Sequence, residues 1–129
     1  MEIDTDWLDS AMLEMPCKLA LCTNEFQFYF MLREIGIPRE EAGFWITPRA
    51  SATTHHIPSK DTILVCVDPN AEGSSIAIAA LIVHEAVHVF QHFMSSMGEK
   101  EPSEEFMAYT IQSISQRLMW EFWRQTKGG

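Results

Sequence analysis

From Ile76 to Met97 the chain is almost wholly apolar, and apart from Ser95 and Ser96 its only polar residues are His84, Glu85, His88, Gln91 and His92. On a helix that turns about 100° per residue, those five fall in one wedge roughly 120° wide. Ile76, Ala79, Ala80, Val83, Ala86, Val87, Phe90, Phe93 and Met94 take up most of the remaining circumference, and Ile78, Ile82 and Val89 continue that surface. A helix apolar nearly all round is expected to be buried, so the chain must wrap its core around this segment. Buried His or Glu must then be paired, hydrogen-bonded or bound to a metal.

The wedge contains His84-Glu85-Ala86-Val87-His88. Two imidazoles one helical turn apart can close on one tetrahedral zinc ion, and a glutamate beside the first lies within reach of a water on that metal. The pattern therefore predicts metal-assisted hydrolysis. With five His and thirteen Glu in 129 positions, chance alone gives such a spacing about two times in a hundred. Its apolar helical setting adds the weight that the spacing alone lacks. The bland alternative is the solvated face of an amphipathic helix.

Composition narrows the rest. A chain of 129 residues that is 47% hydrophobic fits one compact domain, residues 1–129, with a real core. Nine basic residues against eighteen acidic ones give a formal charge of −9, the wrong sign for non-specific nucleic-acid binding. The acidic start, Met1 to Asp6, lacks the features of a secretory signal, and the His and Glu residues interrupt the apolar run. A soluble protein with no membrane partner is expected. Cys17, Cys22 and Cys66 are odd in number and form no Cys-x-x-Cys, which fits a reducing, cytoplasmic location.

Along the chain, Asp6 to Cys22 reads as mostly helical, with Trp7, Met12, Met15 and Leu19 on an apolar side and a bend near Pro16. Thr23 is the expected N-cap of a second, core helix from Asn24 to Glu34, which Gly36 and Pro38 end. Gly43–Ile57 and Thr62–Val67 look extended, and Pro58 to Asp61 forms a turn between them, giving an antiparallel hairpin. Ser74 or Ser75 caps the motif helix and Gly98 closes it. After Glu101-Pro102-Ser103 a last helix runs to about Trp123. Met107, Ile111, Ile114 and Leu118 form its core stripe, with Glu105, Tyr109, Gln112 and Gln116 opposite, and Met119 and Trp123 read as packing residues.

Two histidines do not complete a catalytic zinc site, which usually takes three protein ligands and a water. His92 is eight residues past His84, about 12 Å along the axis, too far to converge on the same ion. A metzincin continuation needs Gly at 91 and His at 94, where this chain has Gln91 and Met94. His55 or His56 could reach in from the hairpin, and Glu104 and Glu105 open the last helix, 16 and 17 residues past His88.

The His-Glu-x-x-His run followed by a helix bearing Glu105-Phe106-Met107-Ala108-Tyr109 resembles the gluzincin class of zinc metallopeptidases, whose third ligand is a Glu on the next helix. In more detail, residues 75–118 are similar to small metallopeptidase-like proteins of phage and prophage origin. The elements read along the chain predict a single α+β, mostly helical domain of about four helices with a short hairpin beside the motif helix, and the resemblance makes it a minimal zincin-like one. It implies Zn²⁺ held by His84, His88 and Glu105, with Glu85 as general base. Where many gluzincins carry an Asp or Asn that orients a zinc-bound His, this chain has Tyr109.

The expected function is a zinc-dependent hydrolase acting on a peptide or protein. Glu85 takes a proton from the attacking water and delivers it to the leaving amine. Tyr109, His55, His56 and His92 all remain candidates for the oxyanion donor. The strand from Ala52 to Ile57 is a candidate partner for extended substrate backbone. Two other readings stand beside this one: a zincin-like binding or regulatory module with a structural metal, and a metal-free domain whose histidines titrate near neutral pH. Spacing sets neither the substrate preference nor the oligomeric state.

Overall fold

The computed structural model describes residues 7–8, 16–70 and 74–128. The fold is α+β, built from strand β1 (Lys18–Cys22), helix α1 (Glu25–Glu34), strands β2 (Ala52–Ile57) and β3 (Thr62–Val67), and helices α2 (Ser75–Met97) and α3 (Glu104–Trp123). The sheet order is β1-β3-β2, with β1 parallel and β2 antiparallel to β3. The expected hairpin is therefore one arm of a three-stranded mixed sheet, and among the described residues there are three α-helices where about four were expected.

Within Asp6 to Cys22, expected to be mostly helical, residues 18–22 form strand β1 instead. Leu19, Ala20, Leu21 and Cys22 are fully buried, and each pairs in register with β3, from Leu19 with Ile63 to Cys22 with Cys66. Leu and Ala favour helices locally, but pairing with β3 and burial on both faces of the sheet outweigh that preference. Trp7 forms an antiparallel bridge with Ala20, and the Leu8 amide donates to the Leu19 carbonyl at 2.8 Å. Asp6, Met12 and Met15 lie outside the described residues.

The pleat sorts the sheet into two cores. Leu19, Leu21, Ile63, Val65 and Val67 meet α2 through Ile78, Ile82, Ala86, Val89, Phe90 and Phe93, and α3 through Ile114 and Leu118. Ala20, Cys22, Leu64 and Cys66 meet Phe28, Met31 and Leu32 of α1 on the other face. Thr62–Val67 is buried throughout, as an unbroken apolar run between two helical layers should be.

Local signals set the helix ends. Asn24, not Thr23, caps α1 by accepting from the Gln27 amide at 2.9 Å. Ser74 caps α2 through the Ala77 amide at 3.0 Å, and Ser103 caps α3 through that of Phe106 at 3.2 Å. Gly98, at φ 72°, ends α2 in the left-handed conformation, which costs glycine little. The turn sends α3 back along α2. Phe106 then stands 6.3 Å from Phe90 between ring centroids, and Met119 and Phe122 share a cavity wall with Ile78 and Ile82.

Two expectations for these helices fail. α2 is not buried all round: Ile76 is 81% exposed, and Val83, His84, His88 and Gln91 face solvent with it. By length and composition alone α2 matches a membrane-crossing helix, yet its other side carries the residues that cover the sheet. On α3, Met107 is exposed, and Thr110, Ile114, Ser115, Leu118 and Glu121 form the buried stripe, flanked by Phe106 and Ile111. Trp123 is 47% exposed and stacks on Trp120 rather than filling the core.

Candidate metal centre

The α2 surface beyond the core divides into two adjoining stripes. His84 and His88, with Gln91, lie on the solvent side, while Glu85 and His92 turn toward β2. On β2 the alternation of side chains decides what they meet. Thr54 and His56 face α2, whereas His55 between them points to the α1 side and packs on Phe28 with ring centroids 4.6 Å apart.

His84 and His88 converge. Their Nε2 atoms are 3.3 Å apart, with the rings near edge-to-face at 72°. Two nitrogens each about 2.0–2.1 Å from a tetrahedral zinc stand roughly 3.3–3.4 Å apart, so the donor pair fits one ion. The His88 Nδ1 lies 3.3 Å from Gln91 Oε1. With the proton assigned to Nδ1 as donor, the Nε2 lone pair is left for a metal.

Glu85 is only 4% exposed, and the Thr54 hydroxyl donates to its Oε1 at 2.7 Å. This bond fixes the carboxylate's rotamer and offsets part of its desolvation. The carboxylate is felt across the sheet. It pulls the His55 imidazole upward, although burial is the larger influence and holds His55 below its ordinary value despite that pull and the contact to Trp45. On the same α1 side, burial first, then Cys22 and Glu85, push the Cys66 thiol well up.

Among the described residues no group of three or more His, Cys, Asp or Glu is gathered to hold a metal. Glu105 and Glu104 are exposed in the first turn of α3, and Glu105 does not join His84 and His88 in such a group. Tyr109 is 68% exposed on α3. His55 is committed elsewhere, its Nε2 standing 2.7 Å from the Trp45 carbonyl. His56 and His92 face each other farther along α2, with ring centroids 4.4 Å apart. Burial, then His56 and His88, lower the His92 imidazole below its ordinary value.

Sequence reasoning missed Thr54 and the role of Gln91. Alternation from Ala52 to Ile57 puts residues 54 and 56 on one face, but nothing local says that this face meets the motif helix. Gln91 lies three residues past His88, a spacing at which helical side chains touch.

β2 pairs with β3 on one side only. Along it runs a concavity of about 420 Å³ lined by Thr54, His55, His56 and Ile57, with Ile37, Glu41 and Gly43 opposite. Comparison of the chain with protein-family models, with curated proteins and with solved structures gives no match.

Proposed function

We propose that the chain is a zinc-dependent hydrolase whose reaction centre is His84, Glu85 and His88, and that it acts on peptide bonds. The observation that carries this reading is the 3.3 Å convergence of the two Nε2 atoms on the helix that also holds Glu85 in place through Thr54. A zinc ion held by the two imidazoles would acidify a water and polarise the scissile carbonyl. Glu85 accepts the water's proton and passes it to the amine that leaves. Thr54 fixes the rotamer of the carboxylate from the β2 side, and Gln91 holds the His88 tautomer. Glu105 of α3 is the proposed third ligand, and Tyr109 the proposed donor to the oxyanion. Glu105 is not gathered with the histidine pair among the described residues, so its role requires the first turn of α3 to come closer.

The edge position of β2 among the described strands and its concavity support an extended peptide as substrate, since a strand edge offers backbone hydrogen bonds to another chain. Free thiols at Cys17, Cys22 and Cys66 support a reducing compartment.

One observation favours a second reading. Without a third ligand beside the pair among the described residues, the same frame serves as a binding module with no turnover.

The deciding experiment uses metal-loaded full chain and a quenched-fluorescence peptide library. Glu85→Gln should keep bound zinc near the wild-type level and abolish cleavage. Cleavage that survives in this variant sinks the mechanism, and zinc bound without cleavage by the wild type favours the binding module.

A further inference from the structure

His92 stands two turns beyond His84, about 12 Å along the axis, and cannot share an ion with it. It is not idle, because His56 of β2 meets it across the seam between helix and sheet, with ring centroids 4.4 Å apart and planes inclined by 35°. The His56 Nε2 is buried and has no hydrogen-bond partner among the described residues. A buried imidazole nitrogen is ordinarily hydrogen-bonded or bound to a metal. No neighbour on its own strand answers it: the Thr54 hydroxyl is spent on Glu85, and His55 points to the opposite face. The two rings come from different elements, so the packing of β2 on α2 sets their spacing. His92 is partly exposed and gives an ion a way in.

We propose that His56 and His92 form a second metal position, separate from His84 and His88, for a borderline divalent ion such as zinc, nickel or copper(II). Imidazole nitrogens suit these ions, whereas calcium and magnesium prefer all-oxygen ligand sets. Two protein nitrogens leave the remaining coordination positions to water or to a carboxylate of a bound molecule. The position is therefore weaker than a closed structural site. It depends on the contact between β2 and α2 and not on hydrolytic activity.

The test is calorimetric titration of metal-stripped full chain with Zn²⁺ and Ni²⁺, with elemental analysis of the product. Wild type should bind two equivalents of different affinity. His56→Phe with His92→Phe, which keeps two rings in the seam, should remove the weaker equivalent only. His84→Ala with His88→Ala should remove the stronger one only. A phenylalanine pair that binds as much metal as the wild type overturns the proposal. Imidazole NMR of the wild type needs no variant: the His56 and His92 signals should move together with the second equivalent, and movement of His84 and His88 alone overturns it. Binding lost only with His56 and His92, without peptide cleavage, would uphold this position and remove the hydrolase centre. Cleavage with one equivalent at His84 and His88 would do the reverse.

Discussion

His55 and His56 are adjacent in the chain and live in different chemistry. His55 lies on the α1 side of β2 against Phe28, its Nε2 2.7 Å from the Trp45 carbonyl. His56 lies on the α2 side, beside His92, with a buried nitrogen that no group among the described residues answers. One step along a pleated strand separates a satisfied packing histidine from one poised to bind. Residue type alone does not make a ligand; the face on which it lands does.

The strongest way to break the α1 side is Phe28→Ala, which removes a buried ring from beneath His55. Loss of about 3–5 kcal/mol is expected in chemical denaturation. Metal affinity at His84 and His88, across the sheet, should hardly change in the fraction still folded. On the α2 side, Thr54→Val leaves a buried carboxylate short of one donor. That should cost about 1–3 kcal/mol, with cleavage falling much more than zinc content.

The pH dependence sharpens the contrast. Burial holds His55 below its ordinary value, so the folded state binds fewer protons than the unfolded one. The associated stability is present above pH about 6.5 and is lost as pH falls through the folded pKa. In chelator-treated protein His55→Gln should flatten this loss, as read from melting temperature against pH; an unaltered slope would show that His55 contributes none of it. The smallest effect belongs to Gln91→Ala on the exposed stripe. Stability should stay within about 0.5 kcal/mol, while zinc affinity at His88 weakens by about tenfold.

Much of this was legible in the sequence because its causes are local. Ser74, Gly98 and Ser103 mark helix ends through hydrogen bonds made within a few residues. The spacing of His84 and His88 puts both rings on one face of α2. The turn from Pro58 to Asp61 announces the β2–β3 hairpin. β1 was misread because Leu19-Ala20-Leu21-Cys22 suits a helix or a buried strand equally, and only the distant pairing with β3 decides. The burial of Glu85 and the exposure of its two histidine neighbours were not legible either, since both depend on where β2 lies. Glu105 shows the same boundary. Its distance from His88 along the chain is known from sequence, but its distance in space depends on how α3 packs.

The reversal at Gly98 fixes that packing. Because Phe106 is geared to Phe90, the rungs of the helical hairpin are numbered in opposite senses, and that register sets where Glu105 stands relative to the histidine pair. Sliding α3 by roughly one turn, about 5.4 Å, would realign the ladder. The short connection between the helices thus acts as a ruler, and a residue added to or taken from it would shift which α3 side chains look onto the rings.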